Sequence, residues 1–585
     1  MSGNIAIGIQ DFSTLIQGNY FYIDKTPFIK EWWDCGDSAT LITRPRRFGK
    51  TLTMSMVEQF FSIDYAGRSD LFEHLAIWQD EKYRDLQGTY PVISLSFANI
   101  KEPTYELTRQ KICQLLSKLY TEHVYILESG ILRGADITFF QRMLTTSENM
   151  NDVDATLALY QLSSFLYQYY GKKKVIILLD EYDTPMQEAF VDGYWDQLVR
   201  FTRSLFNSTF KTNPWLERGI MTGITRVSRE SIFSDLNNLK VVTTTSDEYA
   251  TAFGFTEEEV FSALDRFQIG EEKEKVKLWY DGFIFGNHKD IYNPWSILNF
   301  IDTKTFKAFW ANTSANSLVG KLIREAGHSI KEQFELLLHG ESIRSVIDEQ
   351  IVYNQLNGSE RAIWSMLLAS GYLKVLHYEK YDEIPEGTQP KYELALTNLE
   401  VNLMFQNMIH AWFDDAEQEY NDFINALLEN DVDAMNEYMN EVALHTFSSF
   451  DTGKQPSVSK PEKFYHGFVL GLLVDLQDHY YLTSNRESGF GRYDVMIEPK
   501  QPAERDAYII EFKVFNARRE KNLEDTVETA LAQIKEKRYV ENLVERGIAK
   551  EHIHCYAFAF EGKKVLIEAS TDRSQTIGKL IKSKI

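Results

Sequence analysis

"LITRPRRFGKTLT", residues 41–53, decides the fold. The phosphate-binding loop pattern is G-x-x-x-x-G-K-[ST]. Gly49, Lys50 and Thr51 fill its last three positions, and Arg44 stands where the first glycine belongs. Upstream, "TLIT" at 40–43 is apolar and β-branched; downstream, Leu52, Met56, Val57, Phe60 and Phe61 recur at helical spacing. Strand, loop and helix are the context such a loop needs. In it, backbone N–H groups and the helix N-terminus cradle phosphate, Lys50 reaches the β and γ oxygens, and Thr51 ligates Mg²⁺. The first glycine serves the turn out of the strand, whereas Gly49 lies where the backbone comes closest to phosphate. Pro45 biases Arg44 toward extended geometry, and Arg46 and Arg47, followed by Phe48, add positive charge beside the phosphates. Taken alone, the loop also reads as a basic surface turn.

A second element shifts that balance. "KKVIILLDEYD", 173–183, is a buried-type strand ending in Asp180 and Glu181. In a Walker B strand the first acid holds Mg²⁺ and the second polarises the attacking water. "RGIMTGITRVSRES", 218–231, supplies Thr222 and Thr225 as candidates for sensing the γ-phosphate, with Arg226 or Arg229 as an arginine finger or as plain surface arginines. A finger given in trans would require a homo-oligomer; one in cis would not.

The remaining composition sets limits. A chain of 585 residues implies roughly three or four domains. With 44% hydrophobic and 25% charged residues it is neither disordered nor fibrous. Cys35, Cys113 and Cys555 lie far apart, which suggests neither a disulfide framework nor a zinc cluster and fits a reducing cytoplasm. No signal-peptide pattern and no bilayer-length apolar run is present, so no membrane role is expected. A net charge of -23 repels nucleic acid over much of the surface and confines any DNA contact to a locally basic groove.

Alternation of β-rich runs and helical patterns over the first 250 residues indicates a parallel sheet covered by helices. The runs 92–97 and 175–179 are apolar almost throughout and read as central strands. Far upstream, Thr26 as N-cap, Pro27 at the first helical position and Gly36 as terminator punctuate a helix. Thr256 and Glu259 form a capping-box pattern that opens a mainly helical region. Around 361–400, a helix followed by a hairpin is either a winged helix or a plain structural subdomain. The Gly/Pro/Ser-containing stretch 450–463 is the best linker. The expected domains are thus 1–255, 256–450 and 460–585.

"YFYIDKTPFIKEWW", "LITRPRRFGKTLTMSMVEQFF", "IILLDEYDTP" and "GITRVSRESIFSDLNNL" resemble the AAA-ATPase-like proteins, whose phosphate loop begins R-P-R-R. "WYDGFIF", "YNPWSI", "FWANTS" and "LLASGYLKV" extend the likeness through the middle. Such proteins commonly end in a PD-(D/E)XK nuclease-like domain, and "GFGRYDVMI", "YIIEFKV" and "ALAQIKEKRY" are similar to one. The resemblance implies an α/β chain: a P-loop ATPase with a parallel sheet, a helical middle and a nuclease-type tail. It also implies that the helix carrying Glu462 and His466 contributes to a metal site, where His466 reads equally as a packing residue, and that Gln533 and Tyr539 on a following helix contact backbone phosphate.

The tail reads the same way on physical grounds. In "AYIIEFKVF", 507–515, period-two alternation sets Glu511 and Lys513 on one face and Tyr508, Ile510, Phe512 and Val514 on the other. A hairpin would bring Asp494 beside Glu511, so that the two acids hold Mg²⁺ while Lys513 activates water for attack on a phosphodiester. The expected function is a Mg²⁺-dependent ATPase coupled to a DNA-cleaving domain. The rival is a nucleotide-dependent signalling switch whose tail binds nucleic acid or a protein without cutting.

Overall fold

The computed structural model describes residues 4–144, 150–226, 233, 236–310, 317–326, 328–348, 356, 359–380, 382–446, 462–485 and 493–570. Five strands form the N-terminal sheet: β1 (Ala39–Thr43), β2 (Val92–Ser96), β3 (Val175–Asp180), β4 (Leu216–Gly223) and β5 (Leu239–Val242). They run parallel in the order β2-β3-β4-β1-β5. Every residue of β1 and β3 is buried, which is what their unbroken apolar, β-branched runs demand.

The expectation that 92–97 is a central strand is corrected here, because β2 lies at an edge of the sheet. Ile93 and Leu95 point inward, whereas Ser94 and Ser96 take the more open face. That alternation of apolar residue with serine is the period-two mark of a strand covered on one side. The opposite edge strand, β5, has only four residues and carried too little pattern to be anticipated.

Thr256 and Glu259 close a capping box on the helix Glu257–Arg266, each side chain bonding the other's backbone N–H. Beside it lies a small sheet of β6 (Phe255–Thr256), β7 (Phe283–Phe285) and β8 (His288–Tyr292). Val260, Leu264, Tyr280, Ile297 and Phe300 form the core there. Further on, β9 (Ile343–Ser345), β10 (Leu373–Tyr378) and β11 (Tyr392–Leu396) pair in the order β10-β11-β9 after the helix Glu360–Ala369. This is a helix-and-hairpin arrangement as expected. Residues 362–368 of that helix are all buried, however, so it offers no open face to a nucleic-acid groove, which favours the structural reading of this subdomain.

The C-terminal sheet contains β12 (Tyr480–Asn485), β13 (Tyr493–Pro499), β14 (Ala507–Val514), β15 (Ile553–Glu561) and β16 (Lys564–Ala569), in sequence order. All neighbours are antiparallel except β14 and β15, which are parallel. A parallel pair needs a crossover, and the helix Leu523–Glu536 lies within it. The chain divides into two compact units, Met1–Leu318 with Gly340–Leu403, and Val319–His339 with Met404–Ile585. The linker expected at 450–463 lies outside the described residues up to 461, and a helix begins at Glu462. Among the described residues no helix is long and apolar enough to cross a membrane.

The edge strand β16 is closed by side chains. On the helix Val432–Thr446, Asn436 and Asn440 stand four residues apart and therefore on one face. Each amide exchanges two hydrogen bonds with the strand backbone, Asn436 with Ile567 at 2.7 and 2.8 Å and Asn440 with Val565 at 2.8 and 2.9 Å. They stand in for a neighbouring strand and blunt an edge that would otherwise pair with another chain. Asn440→Ala should destabilise this unit by about 1–3 kcal/mol, read as a lower urea midpoint, and raise self-association. An unchanged midpoint would show that the clasp contributes nothing.

Candidate nucleotide and metal centres

In the N-terminal sheet β4 lies between β1 and β3, so the carboxyl ends of all three strands converge. Thr51, in the first turn of the helix Lys50–Phe61, donates its hydroxyl to Asp180 Oδ2 at 2.8 Å. Thr222, at the end of β4, donates to Asp180 Oδ1 at 2.5 Å, and its oxygen accepts the Glu181 N–H at 3.3 Å. Lys50 Nζ lies 3.3 Å from Glu181 Oε1 and donates to the carbonyls of Arg44 and Pro45 at 3.1 Å each. Burial pushes the Asp180 carboxyl above its ordinary range, with the Glu181 charge adding to it and the hydrogen bonds from Thr222 and Thr51 opposing it. A cavity of about 390 Å³ opens over this cluster, lined by Arg46, Arg47, Gly49, Lys50, Thr51 and Glu181 among others. Arg46 reaches Gln187 Oε1 at 3.1 Å, and Arg47 stacks its guanidinium 4.4 Å from the Trp295 ring.

The missing glycine of the phosphate loop is accounted for by the fate of the Arg44 side chain. It is fully buried and points away from the cavity lining, donating to the carbonyls of Thr43 (3.1 Å), Thr243 (2.5 Å) and Glu248 (3.1 Å). Its guanidinium lies 4.5 Å from the Phe285 ring. Burial pulls its pKa down to about 9, which leaves it charged at neutral pH. Arg44 therefore bolts the loop to the strand end and to the segment 243–248 from beneath, a task no glycine performs. Phe48 is likewise an anchor: its ring is buried edge-on against Phe283 and Phe285. Gly371 completes the seat, since a Cβ there would stand 2.7 Å from the Pro45 ring. Arg44→Ala leaves a void and several buried carbonyls without donors. The expected loss is about 3–5 kcal/mol in chemical denaturation; a change under 1 kcal/mol would contradict this role.

Thr225 and Arg226, expected at the nucleotide, are placed elsewhere. Thr225 is buried and its hydroxyl donates to Asp183 Oδ2 at 2.8 Å, beside the N–H groups of Ile224 and Thr225 itself. Neither Thr225 nor Arg226 lines the cavity. The next β4 residue that projects toward Asp180 is Thr222, because Thr225 already lies beyond the strand end. Arg229 lies outside the described residues. Asp183 is not among the residues that sequence pattern singles out, and its place as the third acid of "DEYD" is its only available signal.

In the C-terminal sheet the antiparallel register sets Asp494 of β13 directly opposite Glu511 of β14. Glu511 is fully buried, and neither carboxylate oxygen has a hydrogen-bond partner among the described residues. Period two places it on the face of Ala507 and Ile509, which packs on Ile534 of the helix Leu523–Glu536. Gln533, on the same helix, is buried with its Nε2 unpartnered among the described residues. Lys513 follows Glu511 on that face and is partly exposed. Orphaned hard oxygen donors inside a protein are costly unless a cation satisfies them. The Glu511 carboxylate is a donor of the kind a hard divalent ion takes, and Asp494 stands across from it by backbone register.

Tyr539 requires a correction, because it does not share a helix with Gln533. The helix Leu523–Glu536 ends at Lys537, Arg538 turns left-handed at φ 56°, and Tyr539 opens a separate short helix. Its ring packs against the Ile534 and Leu543 core. Glu462 and His466 lie in the first turns of the helix Glu462–Leu476, and their side chains lie outside what is described.

Comparison with known proteins finds one family over the N-terminal part of the chain and another over the C-terminal part. Residues 6–233 match the family described as "Predicted AAA-ATPase", and residues 460–570 match the PD-(D/E)XK nuclease superfamily. A relative from Azotobacter chroococcum mcd 1, described as "Uncharacterized protein in vnfD 5'region", is 23% identical over 591 residues, with 99% of each chain covered.

Proposed function

We propose, for a chain that carries an AAA-ATPase-like domain at residues 6–233 and a PD-(D/E)XK nuclease superfamily domain at 460–570, that it is a cytoplasmic Mg²⁺-dependent ATPase controlling or powering metal-dependent cleavage of DNA. The observation that supports this above the signalling-switch reading is the buried Glu511 carboxylate, with no partner among the described residues and Asp494 opposite in register. A switch that only binds has no need to bear the cost of such a group.

At the first centre the chain's own residues divide the work. Lys50 exchanges the loop carbonyls and Glu181 for phosphate oxygens. That exchange frees Glu181 to accept a proton from, and orient, the attacking water, while its backbone is held in place by Thr222. Thr51 and Asp180 are already in contact and would hold Mg²⁺, which when bound supplies charge neutralisation at the phosphates. At the second centre Asp494 and Glu511 would hold the divalent ion, and Lys513 would orient the hydrolytic water. Wild-type protein incubated with plasmid DNA, ATP and Mg²⁺ is expected to release ADP and to nick or cut the plasmid. Protein that hydrolyses ATP yet leaves DNA and RNA intact in Mg²⁺ or Mn²⁺ would favour the switch instead.

A further inference from the structure

The Arg46 carbonyl, midway along the phosphate loop, accepts two side-chain hydrogen bonds from a distant part of the chain. Trp310 Nε1 donates at 3.0 Å and Asn293 Nδ2 at 3.3 Å. Neither donor lines the cavity, whereas Arg46 and Arg47 both do. In a trans peptide the C=O and the following N–H point in opposite directions. Donors that hold the Arg46 carbonyl on the side away from the cavity therefore turn the Arg47 N–H toward it. Left-handed backbone at Arg47 (φ 65°) and Gly49 (φ 81°) is the conformation that gathers successive N–H groups into an anion-binding nest.

Both donors are themselves fixed. The Trp310 backbone N–H donates to Glu400 Oε1 at 2.6 Å, and the fully buried Glu400 also accepts the Ser296 hydroxyl at 2.9 Å. The Trp310 ring packs on Tyr372 and Phe283. Asn293 uses both ends of its amide. Its oxygen caps the helix Pro294–Thr303 by accepting the N–H groups of Trp295 (2.9 Å) and Ser296 (3.3 Å), which leaves the nitrogen for the loop. The helix so capped carries Trp295, the ring against which Arg47 lies.

We infer that Asn293 and Trp310 are positioning residues for anion binding: they aim the Arg47 amide at bound phosphate from behind the loop. The inference rests on the reading of this cavity as an ATP site. Asn293→Ser separates positioning from mere structure, because serine caps a helix as well as asparagine, stays neutral in its buried place and carries no amide N–H to reach Arg46. Trp310→Phe keeps a ring and removes only the N–H. Titration calorimetry of full-length protein with Mg-ATP and with ADP is expected to show binding weakened tenfold or more in each variant, at a thermal midpoint close to wild type. Should Trp310→Phe fail to fold, Asn293→Ser decides alone. Wild-type affinity in the folded variants would overturn the inference and leave the ATP site standing, whereas a wild-type protein that binds neither nucleotide would remove both.

Discussion

Glu181→Gln protein is expected to bind ATP about as tightly as wild type and to hydrolyse it at least about a hundredfold more slowly, the usual scale for loss of a positioned general base. Glu181 pairs with the Lys50 ammonium at 3.3 Å, so the substitution also removes the lysine's charge partner and one of the charges that hold the Asp180 carboxyl high. Neither change weakens phosphate binding. Lys50→Ala should behave differently. It removes a buried cationic side chain at the strand ends beside Glu181, and binding itself should fall, together with turnover. Equilibrium dialysis with labelled ATP, read beside steady-state phosphate release, distinguishes the two variants. Equal hydrolysis by wild type and Glu181→Gln would remove Glu181 from the mechanism.

A second large effect is expected at Glu511, with opposite signs for activity and stability. An unpaired buried carboxylate is destabilising, so Glu511→Gln should make the metal-free protein more stable by about 1–3 kcal/mol while reducing DNA cleavage to background. Mn²⁺ should raise the thermal midpoint of the wild type and leave Glu511→Gln unmoved, because binding to the native state alone stabilises it. A variant that lost stability without metal would mean that Glu511 has a structural partner and no ion to hold.

The legible and the illegible parts of this molecule differ in the range of the interactions that fix them. The phosphate loop, the strand ending in Asp180 and the phasing of Glu511 with Lys513 depend on local pattern, and the structure places each as its pattern requires. The pairing of Asp494 with Glu511 needed only a hairpin and was also legible. The role of Arg44 was not, because its acceptors, Thr243 and Glu248, lie some two hundred residues away in sequence. The same holds for Asn293 and Trp310: "YNPWSI" and "FWANTS" stood out as segments, but their target is the Arg46 carbonyl. Position β2 failed for a different reason, since a short apolar run looks alike at the centre and at the edge of a sheet until its serines are weighed. Of the two candidate threonines, Thr222 reaches Asp180 and Thr225 reaches Asp183, a difference of three residues that rests on where β4 ends.

The measurement that tests the two-centre account most directly is a Mn²⁺ titration by electron paramagnetic resonance, with and without a non-hydrolysable ATP analogue. Two classes of bound ion are predicted: one that requires the nucleotide and is lost in Thr51→Ala, and one independent of nucleotide and lost in Glu511→Gln. A single class, or binding that neither substitution disturbs, would contradict it.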